Sequence, residues 1–146
     1  MSLYIAFKYL HFVAIFGVVS SLIAQHLFLE QQMSRRELSR IYKIDAVYGF
    51  SALLVLAVGL CLWFAVGKPA SFYTSNSIFH LKLTLFIIMG LISIAPTRYF
   101  MKHRKGEPDE VVLVPKRIVM LVRIELLILF LIPLLAVIMA QGVGAQ

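Results

Sequence analysis

Four ionisable side chains lie inside stretches that are apolar enough to cross a membrane: His11, Lys82, Arg123 and Glu125. A charge near the centre of a bilayer costs roughly 3 kcal/mol on insertion scales, so it persists mainly where a partner or a function compensates. Histidine and lysine can hold metals, cofactors or anions, and a buried glutamate can hold a proton. These side chains therefore mark where chemistry is expected.

Two histidines are expected at similar depth in the outer half of the membrane. His11 lies in the first apolar stretch and His80 near the outer end of the third, and both stretches are predicted to run inward. Two imidazoles at one depth on different helices can supply both axial ligands of a b-type haem. His11 and His80 are therefore the candidate metal ligands. The alternative is a hydrogen-bonded core histidine at 11 and an interfacial histidine at 80.

Lys82 lies two residues after His80, and so on the other side of the same helix. Its face continues through small and polar residues, which suit a helix interface or a lined cavity better than lipid. These residues are Phe86, Met89, Gly90, Ser93 and Thr97. Lys82 is thus predicted to point inward, with extension of its side chain to the outer surface as the alternative.

Glu125 is the sharpest clue, because it lies near mid-depth where no surface is within its reach. Such a glutamate is either protonated or paired with a buried cation. The candidate cations are Lys8, His11 and Lys82. Arg123 lies on the other side of its helix and is predicted to extend to the surface or to pair with Asp45. A proton-handling or ligand-binding role is favoured for Glu125 over a purely structural ion pair.

Asp45 shares one face of the second apolar stretch with Tyr48, Gly49 and Ala52, and Gly59 continues this row of small residues. The favoured interpretation is close helix packing, with Asp45 as a helix cap. A path lined by polar groups is the alternative.

The elements that must position these residues are membrane helices. The 146-residue chain is 61% hydrophobic, and a helix needs about 20 apolar residues to cross a bilayer. The prediction is one all-α membrane domain, residues 1–146, folded as an antiparallel four-helix bundle. Its spans are predicted near 3–28, 44–67, 77–101 and 116–141.

The net charge of +7 is concentrated in two connections, which the positive-inside rule places in the cytoplasm with both termini outside. This distribution indicates membrane topology and contact with anionic lipid, and it argues against nucleic-acid binding. The first connection contains Ser34 and Glu37, the spacing of a capping box that would start a short surface helix. The second, Lys102 to Pro115, is expected to be the most mobile part. The single cysteine, Cys61, is expected to be a small core residue.

Several short patterns resemble one group of small membrane proteins. They are Phe7-Lys8-Tyr9-Leu10-His11, His26, Arg40-Ile41-Tyr42, His80-Leu81-Lys82-Leu83 and Arg123-Ile124-Glu125. The series resembles the four-span superfamily of HemJ-type protoporphyrinogen oxidases and copper-resistance D-like proteins. Within it, the series is most similar to a bacterial four-span membrane family, a domain of unknown function.

The resemblance implies a membrane haem protein that oxidises a tetrapyrrole, with His11 and Lys82 as important residues and Glu125 as the acidic residue of an Asn-Glu pair. Three positions depart from that pattern. Ile92-Ser93-Ile94 stand in place of a second histidine, Phe16 and Gly17 in place of a tryptophan, and Ile124 in place of the asparagine. His80 would then be the second ligand.

The leading hypothesis is a bacterial inner-membrane protein that binds haem b or a related tetrapyrrole between spans one and three and assists a redox step. His11, His80 and Lys82 would bind the cofactor, and Lys82 and Glu125 would be catalytic. One alternative is a transport or metal-handling protein with a path lined by Lys82, Glu125 and Asp45. Another is a cofactor-free structural subunit. The expected partners are the bilayer and a tetrapyrrole, with a homo-oligomer left open.

Overall fold

The computed structural model describes residues 2–66 and 74–142. This part of the chain forms four long helices: α1 (Leu3–Phe28), α2 (Arg35–Cys61), α3 (Ser77–His103) and α4 (Lys116–Ala140). A π-helical turn, Leu62–Val66, extends α2. Each helix is long and apolar enough to cross a membrane. The predicted all-α, four-span fold is confirmed.

The helices pack in sequence order around the bundle. α1 lies against α2 and α4, and α3 lies against the same two helices, so α1 and α3 are diagonal to each other. Short connections between successive helices make neighbours antiparallel. The core is made of residues that are almost fully buried. They include Val18, Leu22, Leu38, Ile41, Met89, Phe100, Ile118 and Val122.

Side-chain caps start three of the helices, and at α1 the Ser2 hydroxyl accepts a hydrogen bond from the Ile5 amide. Ser34 accepts a hydrogen bond from the Glu37 amide, and the Glu37 carboxylate accepts one from the Ser34 amide, which completes the predicted capping box. Asn76 caps α3 by accepting from the amides of Ile78 and Phe79. These caps satisfy amides that have no partner inside the helix.

The helix that begins at Arg35 continues without a break into the second span. The expectation of a separate short surface helix was wrong, while the start of the membrane span near residue 44, inside this helix, stays a prediction. No proline or glycine interrupts residues 35–48, and Leu38 and Ile41 are buried in the core. Tertiary packing of these buried side chains therefore stabilises the helical conformation of the polar residues that surround them.

A short antiparallel ribbon joins the two basic connections. β1 (Gln32–Ser34) pairs with β2 (Val111–Leu113), with Met33 opposite Val112. Arg35 donates to the His103 carbonyl oxygen at 2.6 Å and forms an ion pair with Glu110 at 3.0 Å. The second connection, predicted to be the most mobile part, is instead held to the first by backbone and side-chain bonds.

The two ends of the bundle differ in character. The ribbon and both basic connections lie at one end, while the start of α1 and the end of α4 lie at the other. Residues 67–73, which hold most of the predicted outer connection, lie outside the described residues. Placement of the ribbon end in the cytoplasm stays a prediction from charge.

Candidate functional site: a buried carboxyl cluster

Polar side chains from all four helices meet inside the half of the bundle nearer the ribbon. This carboxyl cluster consists of Gln25 of α1, Asp45 and Tyr48 of α2, Ser93 and Thr97 of α3, and Glu125 of α4. Four of its members are at most 3% exposed, in a bundle whose remaining core is mostly apolar. Buried polar groups of this kind are costly unless they are hydrogen-bonded or functional.

Asp45 is the most fully bonded member of the cluster. Its Oδ1 accepts from Gln25 Nε2 at 3.0 Å, and its Oδ2 accepts from Thr97 Oγ1 at 2.5 Å. The carboxyl group thereby connects α1, α2 and α3. The interpretation of Asp45 as a helix cap was wrong, because α2 begins ten residues earlier and its cap is Ser34.

Gln25 was missed by the sequence analysis, because an amide carries no charge and follows a long apolar stretch. A signal existed: a glutamine within a membrane helix is itself a candidate for an interhelical hydrogen bond. Tyr48, Ser93 and Thr97 had been assigned to the inward faces of their helices, and the structure places them there.

Glu125 lies near the middle of α4 and is 1% exposed. Its Oε1 and the Tyr48 hydroxyl are buried without a hydrogen bond of good geometry, although the hydroxyl lies within interaction range of both Glu125 and Ser93. In the described part of the chain Glu125 forms no ion pair with Lys8, His11 or Lys82. Of the two alternatives expected for Glu125, the ion pair is therefore not found among the described residues.

A second group of ionisable residues lies in the other half of the bundle. His11 is half-buried, and its Nδ1 is buried without a hydrogen-bond partner. Its ring lies against Gly59, where an added Cβ would be 3.4 Å from the His11 Cε1. Lys82 is half-buried, within electrostatic range of His11, with its Nζ 5.8 Å from the Phe79 ring centroid. Among the described residues, no carboxylate pairs with Lys82.

His80 lies in the first turn of α3, and its side chain is exposed. Its Nε2 is 2.7 Å from the Thr74 carbonyl oxygen, and its ring packs edge-on against those of Trp63 and Phe79. These contacts are typical of an interfacial histidine. Within residues 2–66 and 74–142, no three His, Cys, Asp or Glu side chains are grouped so that they could hold a metal ion.

Arg123 is exposed on α4 and lines a shallow pocket with Gln31 and Lys116. It makes no ion pair with Asp45, whose two oxygens are occupied by Gln25 and Thr97. The interpretation of Arg123 as a peripheral charge agrees with this position. Cys61 is a free, half-buried thiol at the end of α2.

Four apolar spanning helices around a polar interior define a multi-pass membrane protein. The chain belongs to the family described as Predicted membrane protein (DUF2214), which matches residues 4–144. No curated protein and no solved structure gave a match. The comparisons establish this family, while the broader relation to HemJ-type and copper-resistance D-like proteins stays an expectation from short motifs.

Proposed function

We propose that this protein handles protons inside the membrane, with Glu125 of the carboxyl cluster as the proton-binding residue. The observation that carries the proposal is a fully buried glutamate that has no cation partner among the described residues and lies within electrostatic range of a second carboxyl group. Burying an ionised carboxylate in such surroundings costs several kcal/mol of desolvation free energy. Binding one proton avoids most of this cost, because it neutralises the group.

The two buried carboxyl groups differ in their hydrogen bonding. Asp45 accepts hydrogen bonds from an amide and a hydroxyl, which stabilise a carboxylate. Glu125 has no such donor of good geometry, so its neutral form is favoured. The Tyr48 hydroxyl, which can both donate and accept, lies beside Glu125 and within electrostatic range of Asp45. We assign it the role of a proton relay.

This arrangement couples protons to other cations. Loss of the proton from Glu125 would leave two negative charges in an apolar interior, unless a cation entered the cluster at the same time. Proton release and cation entry would therefore occur together. The proposal thus favours the class of small-ion transport or handling, in which Asp45 and Glu125 line the path.

Proteoliposomes containing a trapped pH-sensitive dye test this proposal. Opposing gradients of Na⁺, K⁺, Mg²⁺ or Cu²⁺ are applied, and proton movement is followed by fluorescence. Glu125→Gln should abolish the cation-driven signal, because the amide cannot exchange a proton. Glu107→Gln, which alters an exposed carboxylate in the second connection, should retain it.

Infrared spectroscopy supplies a readout that does not require the transported ion to be known. A protonated carboxyl group gives a carbonyl band that a carboxylate lacks, and this band should disappear in Glu125→Gln but persist in Glu107→Gln. A wild-type protein without this band would refute Glu125 as a proton carrier, as would unchanged proton flux in Glu125→Gln.

A tetrapyrrole-binding membrane protein is a second candidate, supported by the unpartnered Nδ1 of His11 and the unpaired Lys82 nearby. Haem would fit these residues in part: His11 could hold the iron and Lys82 a propionate. His80 does not fit as the second ligand, because it is exposed and its Nε2 is bonded to Thr74. Bound haem would supply one-electron redox chemistry, and the oxidoreductase hypothesis depends on this candidate.

A reduced-minus-oxidised absorption spectrum of protein purified from haem-replete cells tests the second candidate. Soret and α bands should appear in the wild type, vanish in His11→Ala and persist in His80→Ala. A wild-type spectrum without these bands would exclude haem.

A further inference from the structure

A groove lined by basic side chains opens at the ribbon end, between the last turns of α3 and the first turn of α4. It encloses roughly 630 Å³. Its basic residues are Arg98, Lys102 and Lys105 on the α3 side and Arg117 on the α4 side, and all four are exposed. No aspartate or glutamate lines it.

Three acidic residues at this end, Glu110, Asp109 and Glu37, are engaged elsewhere. Glu110 pairs with Arg35 and Asp109 with Arg36, each at 3.0 Å. Glu37 is occupied by the capping box of α2. In the described part of the chain, the groove therefore concentrates positive charge that no carboxylate neutralises. Such a concentration of arginine and lysine favours an anion with several acceptor oxygens, above all a phosphate.

The groove also has an apolar side. Ala95 and Met101 line it, are exposed, and lie on the membrane-spanning helix α3. The first turn of α4 adds the positive end of a helix dipole, since its cap, Pro115, supplies no side-chain hydrogen bond to the free amides. Basic groups at the helix ends beside an apolar helix surface match a phosphate that carries a hydrocarbon tail.

We propose that this groove binds the phosphate group of an anionic membrane phospholipid, with Lys102 and Arg117 clamping it from two helices. The proposal is independent of the carboxyl cluster. A free phosphate ion has the same recognition chemistry, and the experiment separates the two sources.

Native mass spectrometry and thermal unfolding in neutral detergent test the groove. The probes are phosphatidylglycerol, phosphatidylcholine and inorganic phosphate. The test variant is Lys102→Gln/Arg117→Gln, with Arg98→Gln/Lys105→Gln as a second variant should the first fail to fold. The matched control is Arg40→Gln/Lys43→Gln, which removes the same charges from the same end of the bundle but outside the groove.

Phosphatidylglycerol should bind and raise the melting temperature of the wild type, whereas phosphatidylcholine should not. Loss of two charge-assisted contacts should weaken that binding by at least about tenfold in the groove variants, and by less than about threefold in the control. Equal stabilisation by inorganic phosphate at matched concentration would overturn the assignment to a lipid and leave a phosphate-ion site. Equal losses in groove and control variants, or no preference for the anionic lipid, would overturn the site itself.

Discussion

Asp45 and Glu125 show how position decides the chemistry of one functional group. Both are buried carboxylic acids, but Asp45 has two hydrogen-bond donors and Glu125 Oε1 has none of good geometry. A bonded carboxylate stabilises the contacts between helices, while an unbonded carboxyl remains free to gain or lose a proton. The two residues are therefore expected to respond differently to substitution.

Asp45→Ala should destabilise the fold. It leaves the Gln25 amide and the Thr97 hydroxyl buried without their acceptor, at a cost of about 2–5 kcal/mol in the free energy of unfolding. Denaturant unfolding in detergent micelles measures this. As a control, Asp109→Ala, whose side chain is 86% exposed, should change the free energy by less than about 0.5 kcal/mol. Equal effects of the two substitutions would contradict the assigned role of Asp45.

At the scale of elements, α1 and α2 form a close helix pair because a glycine faces a serine. A Cβ added at Gly17 would overlap the Ser51 hydroxyl, so the two backbones approach nearer than larger residues would allow. Small residues at such interfaces allow the close packing that associates membrane helices. Ser51 lies outside the row of small residues predicted along α2. Within that row, a Cβ added at Gly59 would lie 3.4 Å from the His11 ring of α1, and one added at Gly49 would meet nothing within 4 Å.

Gly17→Ala should separate α1 from α2 and cost about 1–3 kcal/mol by overpacking. Gly49→Ala is the matched control, because a Cβ at Gly49 meets nothing within 4 Å. Alanine is the better helix former, so this control should be neutral or stabilising by up to about 1 kcal/mol. Melting temperatures in one detergent compare the pair, and a milder effect at position 17 than at 49 would refute the close contact.

The ribbon should loosen at low pH. The Arg35 guanidinium holds the pKa of the Glu110 carboxyl below its ordinary value by hydrogen bonding and by charge. Because the folded pKa is below the unfolded one, the pair stabilises the ribbon above the ordinary glutamate pKa. That contribution is lost as the pH falls through the lowered folded pKa.

Hydrogen exchange in residues 111–113, corrected for the intrinsic pH dependence, measures this effect. Wild-type protection should decrease on acidification, whereas Glu110→Gln should be less protected already at neutral pH and change little. Glu107→Gln should behave like the wild type. A pH-independent ribbon in the wild type would contradict the role of the ion pair.

At the scale of the whole molecule, the bundle presents an extensive apolar surface of the kind that a lipid bilayer covers. Large hydrophobic side chains are exposed along every spanning helix, among them Phe12, Phe16, Phe50, Leu53, Leu91, Ile94, Leu127 and Phe130. Soluble monomers rarely expose contiguous apolar patches of this extent. The bundle is thus apolar outside and partly polar inside, as expected where lipid is the solvent.

Cysteine labelling should show the ribbon end in the cytoplasm and the ends of α1 and α4 outside. In a Cys61→Ala background, Lys105→Cys should be protected from a membrane-impermeant thiol reagent in right-side-out vesicles, and Gln141→Cys should react. Inverted vesicles should exchange the two results. Reversed labelling would overturn the predicted orientation.

The sequence by itself determined the number of helices, their approximate ends except the start of α2, and the burial of Glu125. Span length, capping residues and charge asymmetry are local properties, readable from consecutive residues. Only the tertiary structure decided which side chains the buried polar residues contact. Asp45 bonds to residues 20 and 52 positions away along the chain, which no local pattern specifies.

The reason is geometric. Which side chains meet depends on how each helix is rotated and how deeply it is set against its neighbours, and these follow from packing over the whole bundle. The same packing left His80 bonded to Thr74 at the start of α3, left Glu125 without a cation partner in the described part of the chain, and tied the second basic connection into a ribbon. The candidate residues were thus visible in the sequence, while their assembly into a carboxyl cluster was a property of the folded bundle.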